Sequence, residues 1–132
     1  MNAHVNVRRV MAGVVVDDLE AARTWYETVL GRSADAAPMS GLLEFHFTED
    51  AWLQVVNVKT VREIQHIAKW GCAGASSVSF VVENLDEQRA MFAAHGIAVV
   101  SEYVTDERLR TATVSDPAGN FVTFVEDLRQ QV

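Results

Sequence analysis

Hydrophobic and polar positions change period twice along the chain, and the two changes have the same form. From Met11 to Val16 every residue except Gly13 is apolar, with valine dominant, which predicts a strand covered on at least one face. Leu19, Ala22, Tyr26, Val29 and Leu30 then recur at helical spacing, with Trp25 beside them. Asp17 and Asp18 stand where a helix cap belongs, and Glu20 lies three residues after Asp17, as in a capping box. Gly31 follows the last periodic residue, where a left-handed cap is needed.

Ser77 to Gly96 repeats this unit. Val14-Val15-Val16-Asp17-Asp18-Leu19-Glu20 aligns with Phe80-Val81-Val82-Glu83-Asn84-Leu85-Asp86, an offset of 66 in a chain of 132 residues. Two copies are too few for a solenoid and predict one domain of two fused modules related by a pseudo-twofold.

The rest of each half reads as a meander. Val7 to Val16 is the first strand and Asp18 to Leu30 the helix; Arg32 to Ser40, with Pro38, is a loop that can hold a short strand. Gly41–Phe47 and Ala51–Val58 are strands joined by Thr48-Glu49-Asp50. Lys59 to Trp70 reads as a loop with a helical turn, and Gly71 to Ser76 as a small-residue link. Ser77–Val82, Ile97–Tyr103, Leu109–Ser115 and Phe121–Glu126 are strands, and Leu85–His95 is a helix ended by Gly96. Asp116-Pro117-Ala118-Gly119-Asn120 is a strong turn signal. Residues 1 to 6 read as frayed or as an edge extension, and Leu128 to Val132 as a tail. The modules therefore run from about 7 to 58 and from 77 to 127, with 59 to 76 between them.

Strand parity sorts the side chains. Pairing Phe47 with Ala51 sets Glu44 opposite Gln54 and His46 opposite Trp52. Leu43, Phe45, Phe47, Leu53 and Val55 then share an apolar face; Glu44, His46, Trp52, Gln54 and Val56 share the other. In the second half Val114, Val122 and Phe124 oppose Thr111, Thr113, Ser115, Thr123 and Val125. Met11 and Gly13, like Ser77 and Ser79, fall on the polar side of their strands. The candidate ligand surface is thus Met11, Gly13, Glu44, His46, Trp52, Gln54, Ser77, Ser79, Thr111, Thr113 and Thr123. Serine and threonine alternating with valine also describe an ordinary solvated sheet face. Trp52 tips the reading toward a site, since an exposed tryptophan calls for a ligand or an interface.

Composition narrows the function. A net charge of −7 disfavours nucleic acid and anionic membrane surfaces, both of which demand a basic face. Cys72 is the single cysteine, so no intramolecular disulfide forms and a reduced, cytoplasmic setting is expected. The N-terminus lacks an apolar signal core and no apolar run spans a bilayer. His4, His66 and His95 pair by spacing with no other metal ligand, and there is no phosphate-cradling glycine loop or nucleophile elbow.

The stretches VVDDLEAARTWYETVLGR and VSDPAGNFVTFVED, with the internal repeat, resemble the vicinal oxygen chelate superfamily of glyoxalase I, extradiol dioxygenases and bleomycin-resistance proteins. The resemblance implies an α+β fold: two βαβββ modules forming a curved, cup-like mixed sheet with helices outside. It implies a homodimer whose pocket takes a small molecule. Metal-dependent members hold a divalent ion with four side chains, and those positions fall here on Met11, Gln54, Ser77 and Thr123. Only Gln54 suits such an ion; a thioether and two neutral hydroxyls do not, so no metal and no cofactor are expected. A shifted site of Glu44, His46 and Gln54 supplies only two strong ligands, and His46 is as readily satisfied by bonding Glu44 or stacking on Trp52.

Two classes of function follow. One is a metal-independent protein that binds, and sequesters, an aromatic or cationic compound, with Glu44 meeting the cation. The other is a metal-free or shifted-metal enzyme of lyase, isomerase or dioxygenase type, with Glu44 and His46 as candidate catalytic residues. An interaction protein anchored by Trp25 and Trp52 is a third reading.

Overall fold

In a computed structural model, which describes residues 5–66, 71–105 and 108–130, each half folds as a strand, a helix and three further strands. The first half holds β1 (Val10–Val16), α1 (Leu19–Leu30), β2 (Ala36–Met39), β3 (Leu42–His46) and β4 (Ala51–Asn57). A short helix, α2 (Val58–Gln65), leads out of it. The second half holds β5 (Ser77–Val81), α3 (Leu85–Ala94), β6 (Ser101–Thr105), β7 (Leu109–Ser115) and β8 (Phe121–Asp127). A single 3₁₀ turn, Leu128–Gln130, follows.

The strands form two four-stranded mixed sheets, in the orders β1-β4-β3-β2 and β5-β8-β7-β6. In each, the first strand runs parallel to the last and the remaining pairs are antiparallel. The hairpin registers are those read from parity: Glu44 faces Gln54, His46 faces Trp52, and Thr113 faces Thr123. The two βαβββ modules expected from the repeat are both present, one four-stranded mixed sheet to each, and no ladder joins β1 to β5.

Local details correct the sequence reading at several points. Asp18, not Asp17, caps α1 and accepts from Ala21 N–H at 3.1 Å. Glu20 is therefore one position short of the reciprocal place in a capping box. Gly31 closes the helix in the left-handed region, at φ 66°. α2 is two turns long rather than one, because Asn57 accepts from Lys59 N–H and nucleates it. β1 and β6 begin later than the apolar runs suggest: Ile97 and Val99 pack against the core without joining a strand. The expectations for residues 1–4, 67–70 and 131–132 lie outside the described residues.

The apolar faces of both sheets and the inner faces of α1 and α3 make one core. Ala22, Tyr26 and Val29 of α1 pack with Leu43, Phe45, Leu53 and Val55; Leu85 and Phe92 of α3 pack with Ala112, Val114, Val122 and Phe124. Each such large side chain removed from water contributes roughly 1.5–3 kcal/mol. Phe47 of one half meets Phe80 of the other edge-on, their centroids 5.2 Å apart.

A buried polar node joins the halves where β1 and β5 come closest. Asp116 Oδ1 accepts from the N–H groups of Ala118, Gly119 and Asn120, each at 2.9 Å, which closes the β7–β8 turn. Its Oδ2 accepts from Tyr26 Oη at 2.7 Å and from Asn120 Nδ2 at 2.8 Å. Asn120 also donates to Val15 C=O and accepts from Ser76 N–H. The turn read from sequence as a mere connection therefore ties α1, β1 and the start of β5 together.

Candidate functional site

The open face of the first sheet, opposite the core, carries one connected cluster. Glu44 is buried there, although it stands on the face away from the core. Its Oε1 lies 3.1 Å from His46 Nε2, and its Oε2 accepts from Gln54 Nε2 at 3.2 Å. The His46 ring stacks on Trp52 at a centroid distance of 3.5 Å and an interplanar angle of 15°. Arg9 places its guanidinium carbon 3.7 Å from the same indole centroid. Two groups this near one centroid must lie on opposite faces, so Trp52 is sandwiched. Arg9 is held in place by donating from Nε to Glu49 C=O at 2.6 Å.

This answers what partners Trp52 has. His46 takes one face and Arg9 the other, so a planar ligand reaches the edge of the indole rather than its face. Arg9 was not singled out in the sequence, yet alternation puts it on the same side as Met11 and Gly13. Reading parity two residues further back would have found it.

The second sheet presents a neutral version of the same array. Thr113 and Thr123 share a hydrogen bond of 2.7 Å between hydroxyls. Register gives the correspondence: Met11 neighbours Trp52 as Ser77 neighbours Phe121, while Gly13 neighbours Gln54 as Ser79 neighbours Thr123. Thr113 thus stands where Glu44 does, Ser115 where His46 does, and Phe121 where Trp52 does. Thr111 is buried near the end of this face, beside Val125, and its hydroxyl donates to Tyr103 C=O. Ser77 and Ser79 are exposed, as are Met11, Val81, Tyr103 and Phe121. The structure therefore brings Glu44, His46, Trp52 and Gln54 together, and separately Thr113 and Thr123; among the described residues no hydrogen bond joins the two groups.

The four metal positions implied by the resemblance, Met11, Gln54, Ser77 and Thr123, hold a donor set that does not suit a divalent ion. Met11 offers a thioether, Ser77 and Thr123 neutral hydroxyls, and the Thr123 hydroxyl is already paired with Thr113. Only the Gln54 amide oxygen suits a hard cation. Both oxygens of Glu44 are engaged by His46 and Gln54, and among the described residues no three His, Cys, Asp or Glu side chains cluster as a metal site requires. Cys72 is exposed in the link, and His66 and His95 sit at the C-terminal ends of α2 and α3.

A cavity of about 450 Å³ lies elsewhere, and of the surface expected from parity it includes only Trp52 and Ser79. It lies between β1 and β5, lined by core-packed residues such as Phe47, Phe80 and Phe124 and by the exposed Val10, Ala51 and Val81.

Solved structures share this architecture. A glyoxalase/bleomycin resistance protein of Catenulispora acidiphila is 25% identical, with 90% of this chain and 97% of that chain covered and a TM-score of 0.74. A lactoylglutathione lyase of Agrobacterium tumefaciens is 22% identical over 92% of this chain and 94% of that one, at a TM-score of 0.77. TnmS3, an antibiotic-binding protein of a Streptomyces, is 21% identical over 96% and 99%, at 0.68. Among curated proteins no sequence matches. The profile of the Glyoxalase/Bleomycin resistance protein/Dioxygenase superfamily matches residues 4–124, and the chain belongs to that superfamily.

Proposed function

We propose that this protein is a metal-independent small-molecule-binding protein whose ligand rests on the open sheet faces and presents a cation or hydrogen-bond donors to Glu44. The observation that carries the reading is the buried Glu44 carboxylate on a face whose cation, Arg9, is stacked on Trp52 and bonded to Glu49 C=O rather than paired with it. Among the described residues no lysine or arginine pairs with it; its partners are an imidazole and an amide. A buried carboxylate without a lysine or arginine partner favours a positively charged guest over an anionic one. The fold shared with an antibiotic-binding protein supports the same direction. The exposed apolar residues Met11, Val81, Tyr103 and Phe121 suit the body of such a ligand, or the second subunit of a homodimer. A cytoplasmic setting belongs to this reading. No helix among the described residues is long and apolar enough to cross a membrane.

Thermal-shift screening and calorimetry against aromatic cations, matched with their neutral and anionic analogues, test it. A ligand present at a hundred times its Kd should stabilise the fold by about 2.7 kcal/mol. Glu44→Gln should cost cationic ligands at least tenfold in affinity and neutral analogues little. Equal losses for cationic and neutral compounds, or no stabilising compound in the cationic set, would sink the proposal.

The hydrogen bond between His46 and Glu44 favours a second reading, a metal-free proton-transfer enzyme in which the carboxylate acts as base and the imidazole as acid. Turnover that Glu44→Gln leaves intact would exclude it.

A further inference from the structure

We infer that the cavity between β1 and β5 is a second binding site, for a neutral, flat, apolar molecule bearing one hydrogen-bond donor. The site arises from the way the halves meet. Ser76 Oγ accepts from Val15 N–H, and Asn120 donates to Val15 C=O, so the two strands are pinned at one end. Beyond the pin no ladder joins the strands, and Val10 and Val81 at their far ends both line the cavity. A volume near 450 Å³ lies within the roughly 300–1,000 Å³ of small-molecule sites.

The lining decides the chemistry of the guest. It contains no Asp, Glu, Lys, Arg or His, so a charged molecule would lose its hydration without compensation. Phe47, Phe80 and Phe124, with the edge of Trp52, supply aromatic surface suited to a flat guest. Besides Ser79 and the Trp52 indole N–H, the polar lining is Gln88 of α3. Its Oε1 is, among the described residues, the one buried side-chain oxygen or nitrogen without a hydrogen-bond partner. Leaving an acceptor unpaired is costly, and buried amides normally find donors. The terminal torsion of glutamine is broad, so the amide turns readily toward a donor brought into the cavity. This site is distinct from the Glu44 face and shares only Trp52 with it.

Indole and benzofuran are nearly isosteric probes, and only indole carries an N–H. Titration of the ¹⁵N-labelled full chain, followed by NMR and calorimetry, tests the inference. Indole should shift the Gln88 side-chain amide and the backbone amides around Ala12 and Ser79. It should bind about 2- to 10-fold more tightly than benzofuran, the worth of one net hydrogen bond. Gln88→Leu should erase that preference while benzofuran still binds. Ser79→Trp, at an exposed position that leaves the core untouched, should block both probes. The inference fails if neither probe binds, if the preference survives Gln88→Leu, or if the shifts fall on Gln54 and its neighbours. It fails equally if the cavity signals move with protein concentration alone, because a second copy would then be the occupant.

Discussion

Replacing Tyr26 by phenylalanine removes one hydrogen bond at the junction of the two halves and leaves the shape of the core unchanged. Tyr26 is fully buried, and its hydroxyl donates to Asp116 Oδ2 at 2.7 Å. Asp116 keeps its other four donors, three backbone N–H groups and the Asn120 amide, so its charge is not stranded. The loss is then that of a hydrogen bond to a charged group, about 1.5–3 kcal/mol. For a domain of this size that lowers Tm by roughly 5–12 °C. Alkaline pH supplies an independent check. Burial first, then the hydrogen bond to Asp116 and its negative charge, hold the Tyr26 hydroxyl protonated well above its ordinary value of 10.0. Above that value the unfolded chain releases this proton and the folded chain keeps it. Tyr26 therefore contributes its full stability below pH 10, and the contribution falls above it by up to about 1.4 kcal/mol per pH unit. Phenylalanine has no such dependence. Urea unfolding of both proteins at pH 8, 9, 10 and 11 should show a constant gap up to about pH 10 that narrows by roughly 1 kcal/mol at pH 11. A gap under 0.5 kcal/mol at pH 8, or one that widens with pH, would refute the junction as described.

Three further changes separate stability from binding. Gly74 holds φ at +85°, and a Cβ there would strike the carbonyl oxygen of Ala118. Gly74→Ala should cost about 2–5 kcal/mol in chemical denaturation, from left-handed strain and from displacing the β7–β8 turn. Gly13→Ala meets nothing within 4 Å, so stability should hold; because Gly13 neighbours Gln54 on the open face, ligand affinity should change instead. Arg9→Ala should cost no more than about 1 kcal/mol while uncovering one face of Trp52. Acrylamide quenching of tryptophan fluorescence should then rise, and Trp52→Phe should abolish the increase.

Parity made the local structure legible. An alternation of two fixes which side chains share a face, and a tight loop fixes the register. Glu44 opposite Gln54 and His46 opposite Trp52 followed from Thr48-Glu49-Asp50 alone, and the structure has both. Helix caps were harder, because Asp17 and Asp18 are chemically alike and only backbone geometry selects Asp18. The junction was not legible at all. Asp116 and Asn120 are ordinary turn residues by sequence, and their partners Tyr26 and Val15 lie about 90 to 105 positions away. The separation of β1 from β5, and with it the cavity, depends on how two finished sheets meet, which no local period records.

The repeat carries a consequence for recognition. The two open faces occupy equivalent places in the fold, yet Glu44, His46, Trp52 and Gln54 are matched by Thr113, Ser115, Phe121 and Thr123. At these four positions the first face carries a carboxylate and the second carries none. On the proposed reading a ligand that spans both halves is oriented, its cation toward the first sheet and its neutral, apolar part toward Phe121 and the threonine pair. Thr123→Val tests this. It removes one hydroxyl of the pair and conserves volume, so it should change affinity for ligands with a polar group at the neutral end by about 2- to 10-fold and leave the Glu44 dependence intact. If Thr123→Val and Glu44→Gln instead show strong coupling in a double-mutant cycle, the ligand contacts both at one point and the oriented arrangement is wrong.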